Sequence, residues 1–279
     1  DKYLYMNGMA GAAFDPNNPD VAYCISANLG PNQKYSNYTT SPHYGIFKSE
    51  DAGKTWRQVL RTKTFWTGRQ ADICFNTDGE IFVPTNDALY KSVDNGETWT
   101  SIGHERKYVQ GMYVDYEEKW IVAGVNETGI NYLPEGSTTW VLKNNGIPTI
   151  DGACFVTVNP DNNDHWFAVT NNILYESTNA GENWTARPHP FGSGRLAAVK
   201  FSSSNPDGNP RLYVTCRAIS RPFRYSSDLG NSWNSPNLDF TYSLASYYGY
   251  WSEAIYPHPN EPLSVWYSFE SLAYKSTDG

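Results

Sequence analysis

The sequence predicts an all-β protein, a β-propeller of four-stranded blades, and three observations carry that prediction. An eight-residue phrase, stated most fully as Ser49-Glu50-Asp51-Ala52-Gly53-Lys54-Thr55-Trp56, returns as Ser92–Trp99, Ser177–Trp184 and Ser226–Trp233. A worn form, Leu133-Pro134-Glu135-Gly136-Ser137-Thr138-Thr139-Trp140, lies between the second and third, and an opening fragment begins at Ser276. The first positions, 49, 92, 177, 226 and 276, step by 43, 85, 49 and 50, and the worn form divides the step of 85 into two ordinary units. Strand-like runs and turn signals fill each unit, and a period in the forties with that content marks one propeller blade per repeat.

Each residue of the phrase has a physical task. The Asp is expected to accept hydrogen bonds from backbone N–H groups two residues on and so to close a tight turn. The Gly supplies the positive φ that the turn needs. The Ser and Thr hydroxyls tie the ends together, and the Trp enters the next strand to bury a large ring. Such a hairpin is a structural device, which reveals the fold and not the chemistry.

Taken in order, unit one has an inner strand over residues 9–14, a turn over 15–20 and a second strand over 21–26. A loop rich in Asn, Pro, Tyr and Ser covers 27–43 before the third strand at 44–48. Unit two runs from 71–75 through the turn at 77–80 to strands at 81–84 and 88–91, and unit three has strands at 111–114 and 120–124. Unit four has strands at 152–158 and 166–170 about the turn 159–163; unit five has 196–201 and 211–216 about the turn 204–208. Unit six has 252–256, a turn at 258–262 and 263–269. Apolar alternation and β-branched or aromatic content support every strand. About six blades are therefore visible in one domain over 1–279, either six closed with residues 1–6 completing the last, or part of a seven-bladed ring. The halt at Gly279 inside a motif favours a chain that continues.

The bulk numbers narrow the function classes. A formal charge of −8, a pI near 5.1 and the lack of any Lys/Arg run argue against a nucleic-acid surface. No apolar run is long enough to span a membrane, and a start at Asp1 without Met suggests a processed, secreted chain. Cys24, Cys74, Cys154 and Cys216 have no metal-ligand spacing and lie in apolar runs, so they are expected as buried small hydrophobes. No metal or other cofactor is implied. Among 10 Trp, five belong to the repeats, and Trp120, Trp166 and Trp266 are expected to pack between blades. Trp66 and Trp251 remain, on connecting loops.

In a propeller, the loops between second and third strands and the blade-to-blade connections share one end, where a concave mouth is the default ligand site. That placement gathers Asp72, Asp151 and Glu253 at the starts of inner strands as candidate catalytic carboxylates. It also gathers Asn28, Trp66, Arg69, Tyr108, Gln110, Arg195, Arg217, Arg221, Tyr250 and Trp251 as candidate substrate-binding residues. Sugar rings stack on aromatics through their apolar faces, and their hydroxyls seek carboxylates, amides and guanidinium groups. Two carboxylates about 6.5–9.5 Å apart suit inverting hydrolysis, and about 5 Å retaining hydrolysis. The expected partner is a polysaccharide or oligosaccharide; oligomeric state is not legible.

The repeated phrase matches the Asp-box, or bacterial-neuraminidase-type repeat. Residues 9–23, with Asp15-Pro16-Asn17-Asn18-Pro19-Asp20, resemble the first blade of the xyloglucanase-type glycoside hydrolases (family seventy-four), as does Gly192-Ser193-Gly194-Arg195-Leu196-Ala197. The resemblance implies β-glucan or xyloglucan as substrate, and members pair two seven-bladed propellers, using an Asp from each for inversion. Here Asn28 stands where that family's base Asp belongs, and Asn cannot take a proton from water at neutral pH. The second propeller that would carry the acid is absent, so neither catalytic residue is carried over. A non-catalytic glycan- or protein-binding propeller is the alternative. Sialidases, also Asp-box propellers, need three Arg, a Tyr–Glu pair and an Asp. Arg69, Arg195, Arg217, Arg221, Tyr247, Glu253 and Asp72 could serve, but no Arg precedes Arg57.

Overall fold

The computed structural model describes residues 9–26, 44–62, 72–150, 152–217, 223–235, 253–258, 260–269 and 272–277. These residues form six antiparallel sheets in chain order, the blades of a six-bladed β-propeller, with no helix among them. Blade one is β1 (Met9–Asp15), β2 (Asn18–Ser26), β3 (Ile46–Ser49) and β4 (Arg57–Leu60). Blade two is β5 (Cys74–Phe75), β6 (Ile81–Pro84), β7 (Leu89–Ser92) and β8 (Thr100–Ser101). Blade three is β9 (Val109–Val114), β10 (Ile121–Val125), β11 (Gly129–Leu133) and β12 (Val141–Leu142). Blade four is β13 (Cys154–Asn159), β14 (Asn162–Thr170), β15 (Ile173–Ser177) and β16 (Thr185–Arg187). Three strands each are described for blade five, β17 (Arg195–Phe201), β18 (Leu212–Arg217) and β19 (Phe223–Ser226), and blade six, β20 (Glu253–Pro257), β21 (Val265–Phe269) and β22 (Leu272–Ser276). An isolated bridge between Tyr225 and Asn234 begins a further pairing in blade five.

Two compact units divide the chain. The first is Asp1–Asn126 with Tyr132–Val141, and the second is Glu127–Asn131 with Leu142–Gly279. Second strands are buried over most of their length: residues 21–26, 121–125 and 165–170 are all buried, while the first three residues of β2 and β14 are not. A strand covered on both faces needs a continuous apolar run rather than alternation, which is how these stretches read. In the first unit one cluster joins Tyr23, Ile25 and Ile46 to Ile81 and Val83, and another joins Phe82 and Leu89 to Met112, Ile121 and Leu133. In the second unit Phe167 and Val169 meet Val199, Phe201 and Leu212, while Tyr213 and Phe223 meet Ile255 and Tyr267. Each fully buried side chain of this size contributes about 1.5–3 kcal/mol, so packing between successive sheets dominates the fold. Outer strands are short and exposed: Val141 and Leu142 of β12 are both open to solvent.

The hairpins hold as the repeats imply, with two adjustments. Ser49 Oγ accepts from Gly53 N–H at 2.8 Å and donates to Asp51 Oδ1 at 2.8 Å. Asp51 accepts from Thr55 N–H at 2.8 Å and from the Thr55 hydroxyl at 2.6 Å, so the carboxylate reaches four residues on, not two. The residue before the glycine also takes positive φ, as at Ala52 (57°), Asn95 (58°), Ala180 (51°) and Leu229 (54°). Two left-handed residues in succession turn the chain tightly enough for Ser and Asp to face each other across it. Trp56 and Trp99 are only half-buried, each donating Nε1–H to the glycine carbonyl of its own hairpin. Elsewhere Trp120 and Trp166 are buried, but Trp266 is 44% exposed with Lys275 above its ring, a correction to the expected inter-blade packing. Of the four cysteines, Cys24, Cys154 and Cys216 are buried and Cys74 is half-buried.

The hydroxyl of Thr55 holds Asp51 down to about 2, as Thr98 does for Asp94 and Ser232 for Asp228. A carboxylate with a depressed folded value stabilises the fold above its unfolded value near 4, and that contribution is lost as pH falls toward about 2. The urea midpoint is therefore expected to drop most steeply between about pH 4 and 2. Replacing all three with Asn should flatten that slope, since Asn179 already makes the same turn, accepting from Asn183 N–H and the Ser177 hydroxyl, both at 2.9 Å. An unchanged acid slope in the triple variant would show that other carboxylates govern acid unfolding.

Candidate functional site

In the first unit the inner strands β5 and β9 lie side by side. Asp72 sits two residues before β5 and is half-buried, and Gln110 is the second residue of β9. Pairing of β9 with β10 steps from Gly111↔Gly124 to Val109↔Val125, so Gln110 is the extra residue of a bulge. A bulge re-aims a side chain out of the pleat. Gln110 is 4% exposed and its Oε1 has no hydrogen-bond partner. Beside it, Asn126 N–H donates to Tyr108 O at 2.9 Å, while Asn126 Oδ1 is also buried without a partner. The ring of Tyr108 packs on the cluster of Tyr23, Ile73 and Ile81 and backs the group.

Unmatched buried acceptors cost about 1–3 kcal/mol each. Two buried amide oxygens of that kind lie at one end of the β9–β10 pair, and Asp72 precedes the adjacent strand β5. Hydroxyl groups can donate to such acceptors. Among the described residues no group of three His, Cys, Asp or Glu could hold a metal ion.

In the first unit Asp72 lies two residues before β5, Tyr108 one residue before β9, and Gln110 within β9. In the second unit, Arg195 opens β17, exposed, its backbone opposite Arg217 at the end of β18. Glu253 opens β20 opposite Phe269. Asn28, Trp66, Arg69, Asp151, Arg221, Tyr250 and Trp251 lie outside the described residues. Asn126 is not among the residues that the sequence singles out. Nor is Asn172, whose Nδ2 donates to Gly194 O at 2.7 Å and whose Oδ1 accepts from Leu196 N–H at 2.6 Å. Both are asparagines in the loop between second and third strands, a positional signal that needed the blades aligned strand by strand.

A family model for the DUF6242 β-propeller domain matches residues 20–165. No curated protein matches the chain. Among solved structures it is similar to the GH74 xyloglucanase from Xanthomonas campestris, with TM-score 0.71 and 16% identity over 98% of this chain and 45% of that one. It is also similar to YCF48 bound to D1 peptide, with TM-score 0.61 and 13% identity over 96% of this chain and 77% of that one. An ancestral GH74 enzyme gives TM-score 0.61 and 17% identity over 96% of this chain and 36% of that one. At these identities the likeness establishes the propeller fold alone, and the chain spans less than half the length of the xyloglucanase.

Proposed function

This chain belongs to the DUF6242 β-propeller domain family, and we propose that it binds a polysaccharide or oligosaccharide of the β-glucan or xyloglucan class outside the cell. Gln110 carries the reading: a buried amide on a bulge, its oxygen unmatched, one strand away from Asp72. A sugar hydroxyl donating to Gln110 Oε1 removes the cost of that orphaned acceptor, and a second donating to Asp72 fixes the ring's orientation. The GH74 likeness supports carbohydrate as the ligand class. Hydrolysis is the extension of this reading, and it assigns Asp72, Asp151 and Glu253 the carboxylate roles.

Binding to xyloglucan and mixed-linkage glucan is measured by calorimetry. Gln110→Leu keeps the volume and removes the orphaned acceptor. It is expected to weaken binding at least tenfold, equivalent to about 1.4 kcal/mol, while leaving the melting temperature equal or higher. Unaltered affinity sinks the reading. A reducing-sugar assay on the same polymers tests the extension, with Asp72→Asn, Asp151→Asn and Glu253→Gln expected to abolish any turnover.

A second reading, a protein-binding propeller, is favoured by the greater share of YCF48 that this chain covers, 77%, that structure carrying a D1 peptide. Its arm of the test is retention of glycan-independent partners on an immobilised column.

A further inference from the structure

The worn hairpin of blade three leaves a gap that the hairpins of blades two and five fill. From blade one to blade two, Gly96 sits against the Tyr23 ring, and both Lys48 and Arg57 pair with Glu97, the residue after that glycine. From blade four to blade five, Gly230 sits against Phe167, where a Cβ would lie 3.4 Å from the ring, and Arg187 donates to Asn231 Oδ1 at 2.7 Å. Tyr23 lies opposite Lys48 across its strand pair, Phe167 opposite Glu176, and Phe82 opposite Lys91. Phe82 and Lys91 are therefore the counterparts awaiting the glycine and acid of blade three. Neither arrives. Matched by their turn hydrogen bonds, Ser137 N–H to Pro134 O and Glu97 N–H to Asp94 O, Gly136 stands for Gly96 and Ser137 for Glu97, one place off the eight-residue frame; a Cβ on Gly136 would meet nothing within 4 Å, and Ser137 is too short to reach a cation.

What remains is a cleft of about 730 Å³, within the range of small-molecule and peptide pockets. Its floor is Phe82, Ile121 and Leu133, with Trp140 as a wall. Trp140 is held in place, its Nε1–H donating to Ile102 O at 2.7 Å and His104 lying against it with ring centroids 4.4 Å apart. The rim carries four carboxylates, Asp78, Glu80, Glu105 and Glu135, against two ammonium groups, a balance of two negative charges. Lys91 is taken by Glu80 at 2.5 Å and Lys119 by Asp78 at 2.8 Å, with Glu135 more distant at 4.0 Å. Burial pushes the His104 imidazole down to about 4, so it brings no compensating charge at neutral pH.

We propose that this cleft is a second binding site, for an extended basic peptide segment whose Lys or Arg side chains enter it. Such side chains lay their aliphatic stems along apolar surface and keep the charged head at the rim. The floor and wall match the stem, the Trp140 face attracts the cation, and Glu105 and Glu135 receive the head. This site is distinct from the strand-end surface around Gln110 and does not depend on the glycan reading.

Fluorescence anisotropy with the labelled peptide acetyl-Leu-Arg-Gly-Leu-Arg-amide tests it. Saturable binding is expected, at least tenfold tighter than for the peptide with Glu in place of Arg. The double variant Glu105→Gln/Glu135→Gln should weaken binding at least tenfold, and Ser137→Glu, which restores the acid found at Glu97, should do the same by closing the gap. Equal binding of the two peptides overturns the proposal, as does unaltered affinity in both variants. Displacement by xyloglucan oligosaccharides overturns it too, because the peptide would then occupy the glycan surface. The peptide comparison needs no substitution, so a variant that folds poorly does not decide the outcome.

Discussion

Gly96→Ala is expected to cost about 3–5 kcal/mol, while Gly136→Ala, at the position matched by the turn hydrogen bond of the worn hairpin, should cost about 1–2 kcal/mol. Both glycines have positive φ, 76° and 69°, so both variants carry the backbone strain of placing a Cβ in the left-handed region. They differ in what the Cβ meets. At Gly96 it would lie 3.0 Å from the Tyr23 hydroxyl oxygen and closer still to the ring, with Tyr23 wholly buried. The ring would have to move, and with it the bonds from its hydroxyl to Asn95 O at 2.8 Å and Asn95 Oδ1 at 2.7 Å. That couples blade two to blade one at a point where neither can relax alone. Urea unfolding of the two single variants at pH 7 gives the comparison. Similar losses would mean that Gly136 does make the inter-blade contact in solution, and the cleft described above would then have no basis.

The same pair of glycines shows how much was legible in advance. The phrase Ser-x-Asp-x-Gly-x-Thr-Trp specifies a closed set of bonds within eight residues, and local chemistry of that kind can be read from one chain. The blade repeat, strand order and the turns at Asp15, Asn76 and Asn159 were accessible for that reason, each of these side chains capping the backbone two residues on, while six or seven blades stayed open. What the phrase does to its neighbour was not. That Gly96 presses on Tyr23, 73 positions earlier, is a contact across blades, and nothing in either stretch announces it. The worn hairpin illustrates the limit: its lost Ser and Asp were plain, but the resulting space beside Phe82 and Lys91 required the sheets to be set side by side. The candidate site divides in the same way. Topology alone places Asp72 and Gln110 at neighbouring strand ends, whereas the bulge that turns Gln110 inward depends on pairing register, which one sequence does not disclose.

Glu176→Leu is expected to destabilise the second unit by about 2–3 kcal/mol, less than a fully buried pair would lose because Arg187 is a quarter exposed. Glu176 lies on β15 and serves two donors at once. Its Oε1 accepts from His165 Nε2 at 2.7 Å, and its Oε2 pairs with Arg187 at 3.3 Å. A carboxylate can only accept, so His165 carries its proton on Nε2, and the ring is held between Phe167 and Phe201, 5.1 Å and 6.4 Å away. Arg187 passes the link to blade five through Asn231. Removing the carboxylate thus strands a buried imidazole N–H and loosens a guanidinium that spans two blades. Glu176→Gln keeps an acceptor for one donor and should cost about 1 kcal/mol. In the double variant Glu176→Leu/Arg187→Met the unpaired cation is gone as well, so the combined loss should fall short of the sum of the singles by about 1–2 kcal/mol. Losses that add to within about 0.5 kcal/mol would show that the two side chains act separately. The clasp between blades four and five would then reside in the hairpin glycine and its apolar seat on Phe167 rather than in charge.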